Sequence, residues 1–145
     1  MTRVEIYVSD LTRSLAFYEG LGFRRVRGWG DWALLDLEGN VIALQGDEHA
    51  LAGPHYFTAR IKESPRGTGV EISIDVEDID RLYELARRLG VDIVKAIQDR
   101  PWHARDFRVA DPDGYFLRFT TPLDRGNVRT TRGETQHRDP RVGRP

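Results

Sequence analysis

The sequence predicts an α+β fold of two tandem βαβββ modules that form a curved mixed sheet around a cleft, with the helices on its convex side. Two observations predict this fold. A strand pattern followed by a capped helix occurs twice, and the two capping residues, Asp10 and Asp78, lie 68 positions apart. Later in each unit, the turn glycines Gly39 and Gly114 lie 75 positions apart. A repeat of this period is typical of a duplicated supersecondary unit.

Residues 1–46 are expected to form the first module. Val4, Ile6 and Val8 alternate with charged or aromatic residues, as in a strand with one buried face. Asp10 is then a candidate N-cap for a helix that ends near Gly22. Three further strands are predicted at 23–27, 32–37 and 41–45, with turn regions at 28–30 and 38–40.

Residues 71–122 are expected to form the second module. Ile72, Ile74 and Val76 repeat the strand alternation, and Asp78 is the candidate cap of a helix that ends at Gly90. The helix places its apolar residues on one face, as a helix that packs on a sheet requires.

A hairpin is predicted to end the second module. Its turn is the tetrapeptide 111–114, Asp-Pro-Asp-Gly, in which proline fixes φ and Gly114 supplies a positive φ. Apolar residues alternate on both sides of this turn, so each strand buries one face. The opposite face carries Arg118, which we expect to point into the cleft.

We expect a single domain over residues 1–122. Residues 47–70 are predicted to link the two modules, and 55–61 are a candidate for one further short strand. Residues 123–145 carry six arginines against three acidic residues and almost no apolar side chains, which predicts a basic, flexible C-terminal tail.

Composition narrows the function classes. The chain has 145 residues and no cysteine, which excludes disulfides, thiolate nucleophiles and sulfur-ligated metals. No apolar run reaches membrane-spanning length and no signal peptide is visible, so we expect a cytoplasmic protein without membrane contact. Residues 1–122 carry a net charge of −4, which argues against nucleic-acid recognition by the core.

This organisation resembles the vicinal oxygen chelate superfamily, which includes glyoxalase I, bleomycin resistance proteins and extradiol dioxygenases. The resemblance covers residues 3–122 and is closest in style to metal-free members like the bleomycin resistance proteins. It implies the fold and not one activity, because this fold carries many functions. The matching segments are Val8-Ser9-Asp10-Leu11, Phe17-Tyr18, Leu21-Gly22-Phe23, Val76-Glu77-Asp78-Ile79, Arg100-Pro101-Trp102 and Asp111-Pro112-Asp113-Gly114-Tyr115.

The resemblance also implies where a metal would lie. Metal-dependent members take four ligands from equivalent strand positions of the two halves, and those positions here hold Arg3, Ala43, Glu71 and Arg118. Arginine cannot deprotonate to become a ligand, and alanine has no ligand atom. Only Glu71 offers an oxygen, so we predict that the metal site is lost and that the protein uses no metal or other cofactor.

If these positions converge, Glu71 lies between Arg3 and Arg118. In the functional interpretation, Arg3 or Arg118 holds a carboxylate, phenolate or other anionic group of a ligand. In the structural interpretation, the ion pairs replace the metal as a link between the halves. The sequence leaves both open.

Aromatic residues add further ligand-binding candidates. Trp102 and His103 precede the last hairpin, where a tryptophan could stack on a planar ligand and a histidine could donate a hydrogen bond. Trp32 and Tyr7 are candidates from the first module, as is Trp29. The alternative for each tryptophan is a structural role as a lid over the core.

The leading hypothesis is a metal-free protein that sequesters a small aromatic or anionic ligand, such as an antibiotic. The resemblance implies a homodimer with the cleft at or near the interface. One alternative is an enzyme of the superfamily: a dioxygenase, lyase or thiol transferase, or a metal-free acid/base isomerase. In that last form Glu71 is the base, Arg118 stabilises negative charge and His103 donates a proton. Another alternative is an interaction module that works through the tail.

Overall fold

The computed structural model describes residues 1–123, and each module forms its own group of elements. The first comprises β1 (Val4–Val8), α1 (Leu11–Gly20), β2 (Arg24–Trp29), β3 (Trp32–Leu37) and β4 (Asn40–Gly46), and the linker begins with the short α2 (Glu48–Leu51). The second comprises β5 (Glu71–Asp75), α3 (Ile79–Arg88), β6 (Asp92–Arg100), β7 (Ala104–Ala110) and β8 (Phe116–Pro122).

Each module folds into a four-stranded mixed sheet. The strand orders are β1-β4-β3-β2 and β5-β8-β7-β6. In both sheets the first strand runs parallel to the last, and the other neighbours are antiparallel. The predicted α+β fold and its βαβββ repeat are therefore confirmed, with one sheet per module.

One hydrophobic core draws on both modules and covers one face of each sheet. Ile6 and Val8 of β1 and Ile72 and Ile74 of β5 belong to it, together with apolar residues of α1 and α3. Since neighbouring residues of a strand point to opposite faces, the residues between these face away from the helices. We call the face of each sheet that points away from the helices its open face. The charged residues described below, Glu71, Arg108 and Arg118, lie on the open face of the second sheet.

The two modules bind each other through equivalent turns. In the second module, the hairpin residue Asp113 accepts hydrogen bonds from the backbone N–H and the hydroxyl of Ser9, just after β1. In the first module, Glu38 accepts one from the backbone N–H of Glu77, just after β5. Glu38 and Asp113 are 75 positions apart, and Ser9 and Glu77 are 68 apart, so these contacts repeat the internal symmetry of the sequence.

A second pair of contacts follows the same symmetry. The Tyr115 hydroxyl donates to the Tyr7 carbonyl oxygen at 2.9 Å, and the Asn40 side-chain amide donates to the Asp75 carbonyl oxygen at 2.8 Å. The duplicated sequence therefore encodes the contact between the modules as well as each module.

The helix caps and the last hairpin form as predicted. Asp10 and Asp78 accept hydrogen bonds from the backbone N–H groups of Arg13 and Arg81. Strands β7 and β8 pair in antiparallel register across a turn in which Gly114 has φ +89°.

Two local predictions differ from the structure. Strand β2 continues to Trp29, because this residue pairs with Trp32 across a tighter turn than the predicted 28–30. Residues 55–61 form turns and no strand, whereas 48–51 form the unpredicted α2. Of the predicted tail, residues 124–145 lie outside the described part. No helix within residues 1–123 is long and apolar enough to cross a membrane.

Candidate functional site

Glu71, at the start of β5, lies between two arginines on the open face of the second sheet. Its Oε2 accepts a hydrogen bond from Arg108 Nε at 3.0 Å, and its Oε1 lies 3.3 Å from Arg118 Nη1. Arg118 also donates from Nε and Nη2 to the Ser73 hydroxyl, at 3.2 and 3.1 Å. The predicted contact between Glu71 and Arg118 therefore exists, and Arg108 is a second partner that the sequence reasoning missed.

The ion pairs continue from Arg108 into the interior. Arg108 Nη1 lies 3.4 Å from Asp106 Oδ1, and the same oxygen accepts a hydrogen bond from Arg100 Nε at 2.7 Å. We call these five residues, Arg100, Asp106, Arg108, Glu71 and Arg118, the arginine network. Asp106 is fully buried, whereas the Arg118 and Glu71 side chains are 28% and 32% exposed. The network thus extends from a buried floor to an accessible rim.

Strand register explains why these charges meet. Arg108 of β7 pairs directly with Arg118 of β8, and Lys95 of β6 pairs with Arg108 on its other side. Like charges opposite each other on neighbouring strands repel. Glu71 offsets this repulsion by contacting both guanidinium groups, yet three arginines against two carboxylates leave the network with an excess positive charge.

Arg3 is not part of this arrangement within the described chain, and its role as a ligand-binding residue stays a prediction. It precedes β1 in the other sheet and is exposed, and the guanidinium groups within 4 Å of Glu71 in the described chain are those of Arg108 and Arg118. The repeat placed Arg3 and Glu71 at equivalent positions of the two modules. Equivalent positions lie in different sheets, so equivalence did not imply contact.

The residues present do not fit the metal site of the metal-dependent members. The four implied positions hold two arginines, one fully buried alanine and Glu71. Residues 1–123 contain no group of three or more His, Cys, Asp or Glu side chains that could hold a metal ion. Two guanidinium cations beside the one carboxylate also oppose a divalent ion electrostatically.

Tyr7 belongs to a different cluster, on the open face of the first sheet. Its ring packs against His49, His55 and Phe57 of the linker, with ring centroids 5.1 to 6.4 Å away. Partial burial, together with the charges of Glu5 and Asp31, raises the pKa of the Tyr7 hydroxyl. Tyr7 therefore stays a neutral hydroxyl at physiological pH.

The linker histidine fixes the polarity of this cluster. His55 Nδ1 accepts a hydrogen bond from the Phe57 backbone N–H at 3.2 Å, so a neutral ring carries its proton on Nε2. That Nε2 lies 3.2 Å from the Tyr7 hydroxyl oxygen and donates to it. The Tyr7 O–H proton is then available to another acceptor.

The tryptophans lie on both modules. Trp32 and Tyr7 both pair with Gln45, so Trp32 lies on the open face, in one row with Tyr7. Trp102 is 57% exposed in the 101–103 loop between β6 and β7, beside His103, whose φ is +59°. This loop precedes the last hairpin, as predicted, and the ligand-binding role of Trp102 and His103 stays a prediction.

A cavity of about 340 Å³ opens beside Glu71. Its walls are linker residues 65–70, Gly114 and Phe116. Linker and hairpin are tightly packed here, because the Arg66 backbone N–H donates to the Asp113 carbonyl oxygen at 3.0 Å.

Comparison with known proteins identifies relatives over most of the chain. Residues 1–119 match the family model of the glyoxalase/bleomycin resistance protein/dioxygenase superfamily. A bleomycin resistance protein from Geobacillus stearothermophilus is 32% identical over 122 residues, covering 77% of this chain and 89% of that protein.

Solved structures agree with this match. A glyoxalase/bleomycin resistance protein/dioxygenase from Nocardioides is 25% identical with a TM-score of 0.66, covering 86% of this chain and 84% of that one. A bleomycin resistance determinant encoded on the transposon Tn5 has a TM-score of 0.65 at 18% identity, covers 84% of this chain and 97% of that one, and shares the fold.

Proposed function

The chain belongs to the glyoxalase/bleomycin resistance protein/dioxygenase superfamily, and from this premise we propose that it is a small-molecule binding protein that works without a metal ion. One observation carries the proposal. Glu71, the one implied metal position with a ligand oxygen, is held by Arg108 and Arg118. Because the guanidinium groups of Arg108 and Arg118 engage this carboxylate, the site offers hydrogen bonds and charge instead of free metal-ligand oxygens.

The open faces supply the other groups that a ligand site needs. Such sites combine aromatic or apolar walls with a few polar groups that fix orientation. Tyr7 and Trp32 provide aromatic surface on the first sheet, and Arg118 provides charge on the second. The exposed Trp102 and His103 lie in the loop that precedes β7, at the end of the second sheet where Ala104 pairs with Pro122. An aromatic or anionic molecule matches these groups, and sequestration of an antibiotic fits the names of the relatives.

We further propose that the protein is a homodimer with the binding cleft at or near the interface. Trp29 and Trp102 are 87% and 57% exposed in the single chain, and exposed large apolar groups often mark an interaction site. The family resemblance supports the same assembly.

The metal-free enzyme alternative finds less support. General-base catalysis by Glu71 requires an oxygen that can approach a substrate proton, and both Glu71 oxygens are already in ion pairs. Sequestration of a ligand does not require Glu71 to leave these ion pairs.

The test is a titration of tryptophan fluorescence with bleomycin and a panel of aromatic acids, followed by mass spectrometry of the recovered ligand and by its NMR spectrum, which reveals an isomer of unchanged mass. We expect saturable binding and an unchanged ligand mass. A changed mass after incubation would show that the protein is an enzyme, and a lack of saturable binding across the panel would remove the proposal.

A further inference from the structure

We propose that Arg108 and Arg118 form a two-armed clamp for a carboxylate group of the ligand, with Glu71 holding the arms together. This inference rests on the proposed binding function and names the ligand chemistry that the site takes. Its central residue, Arg108, lies outside the positions that the family resemblance implied.

The two arms of the clamp lie side by side on the second sheet. Arg108 and Arg118 are directly paired residues of neighbouring antiparallel strands, and both face away from the helices. Side chains of such a pair lie close enough to contact one group between them. Glu71 already shows this geometry, because one carboxylate engages Arg108 through Oε2 and Arg118 through Oε1.

Both guanidinium groups keep N–H donors that their present hydrogen bonds do not use. A guanidinium group has five N–H donors. Arg108 uses Nε for Glu71 and Nη1 for Asp106, and among the described residues its Nη2 has no hydrogen-bond partner. Arg118 directs Nε and Nη2 at one hydroxyl, that of Ser73, so hydrogens of its terminal nitrogens also remain. Both arms can therefore donate to a further acceptor.

The net positive charge of the arginine network favours an anionic ligand. The arginine network holds three cations against two anions, and Lys95 pairs with Arg108 from the neighbouring strand. One further carboxylate neutralises the excess charge of the network, whereas a cationic ligand increases it. A planar carboxylate also matches the planar donor geometry of guanidinium groups.

The Arg108 side chain is held rigidly by buried partners. Asp106 is fully buried and binds both Arg100 and Arg108, whose side chains are each 11% exposed. Arg108 is therefore held in place before a ligand arrives, which lowers the entropic cost of binding. Asp106 and Arg100 act as positioning residues for the clamp.

The experiment compares benzoate with benzamide, a neutral molecule of the same shape. Both are titrated into the full-length protein while the Nε–H resonances of Arg108 and Arg118 are followed by nitrogen-15 NMR. We expect benzoate to shift both resonances and to bind at least about tenfold more tightly than benzamide, since charge-assisted hydrogen bonds are the stronger ones.

Two variants and a matched control assign the effect. Arg108→Gln is expected to lower benzoate affinity about tenfold or more and to abolish the preference over benzamide. Arg118→Lys, at a partly exposed residue, keeps the charge but loses the planar fork and should also reduce the preference. The control is Arg105→Gln. Arg105 lies on the helix side of β7, in ion pairs with Asp80 and Asp99. The Arg105→Gln variant should therefore bind benzoate like the wild type.

The outcomes separate this inference from the proposed function. Equal affinity for benzoate and benzamide, or benzoate binding that both variants leave unchanged, overturns the clamp while the protein remains a binding protein. Failure of benzoate to bind the wild type overturns the clamp as well, and the wider ligand panel then decides the proposed function separately.

Discussion

At the scale of single residues, Asp111 is the buried charge that joins the last hairpin to helix α1. It accepts hydrogen bonds from the backbone N–H groups of Asp113 and Tyr115 and from the Tyr18 hydroxyl, the last at 2.8 Å. Burial raises the pKa of the Asp111 carboxyl above its ordinary value of 3.8, although these hydrogen bonds oppose the rise. Ionised Asp111 is therefore less favourable in the folded state than in the unfolded state.

This difference predicts a pH dependence of stability. A raised folded pKa gives a contribution that is complete below the unfolded pKa and is lost as pH rises through the folded value. We expect the free energy of unfolding of the wild type, relative to Asp111→Asn, to decrease as the pH rises above about 4 and through the raised folded pKa. Urea denaturation of the wild type and of Asp111→Asn at several pH values measures this difference in free energy of unfolding.

A second variant serves as the control. Tyr18→Phe removes a donor from Asp111 and should cost about 1–3 kcal/mol at neutral pH. It should also steepen the pH dependence, because the lost hydrogen bond favoured the ionised form. Parallel curves for the wild type and Asp111→Asn across the range would contradict this account of Asp111.

Some site residues could be predicted from the sequence and others could not. Glu71 and Arg118 were found through the repeat and the resemblance, which assign positions on strands. Arg108 has a signal as well, since it alternates with the apolar Phe107 and Val109 and lies across the predicted hairpin from Arg118. The register needed to pair Arg108 with Arg118 depends on the whole turn, so the contact itself requires the structure.

At the scale of elements, the two equivalent hairpin glycines allow a matched comparison. Gly39 and Gly114 have φ +86° and +89°, a region that L-residues avoid. A Cβ on Gly39 would meet no atom within 4 Å, whereas on Gly114 it would lie 2.6 Å from Pro65 Cβ. The linker therefore packs directly on the turn of the second hairpin at Gly114.

We expect Gly39→Ala to cost about 1–2 kcal/mol, from backbone strain alone. Gly114→Ala should cost about 1–3 kcal/mol more, because linker and hairpin must also move apart. Chemical denaturation of the two variants measures both values. Equal losses would show that the contact of Pro65 with Gly114 does not restrain the linker.

The two turn residues that accept hydrogen bonds from the other module, Asp113 and Glu38, give another comparison of equivalent positions. Asp113 is buried and accepts two hydrogen bonds from Ser9, whereas Glu38 is exposed and accepts one from Glu77. We expect Asp113→Ala to cost about 1–3 kcal/mol and Glu38→Ala less than about 1 kcal/mol. A Glu38→Ala loss as large as that of Asp113→Ala, measured by thermal unfolding, would contradict this ranking.

Periodicity predicted the regular elements well and the linker poorly. Strands and helices repeat their apolar residues at fixed spacing, so β3 was predicted with its observed bounds, 32–37. The linker has no such period, because its residues are fixed by specific contacts such as the Arg66–Asp47 ion pair at 2.7 Å. Its α2 helix and its turns over 55–61 therefore could not be read from the pattern.

At the scale of the whole molecule, the internal repeat accounts for how the modules join. Equivalent turns bind equivalent strand ends, so one repeated βαβββ pattern accounts for both halves and for their interface. The site does not follow this symmetry. Positions equivalent to Glu71 and Arg118 hold Arg3 and Ala43, so the arginine network exists only in the second module.

The proposed assembly gives a prediction at this scale. Sedimentation equilibrium should yield a mass twice that of the 16.6 kDa chain, because a second copy would cover the exposed tryptophans. Variants Trp29→Ser and Trp102→Ser should weaken the association. A single-chain mass for the wild type at micromolar concentration would contradict the homodimer.

Metal content tests most directly whether the arginine network takes the place of the metal ion that the resemblance implies for metal-dependent members. The purified protein is dialysed in turn against Fe²⁺, Mn²⁺, Zn²⁺ and Ni²⁺, then against buffer alone, and its metal is determined by elemental analysis. We predict no stoichiometric metal in the wild type with any of the four ions. About one metal ion per chain, lost in Glu71→Ala, would contradict the account and make a metal-dependent enzyme the leading interpretation.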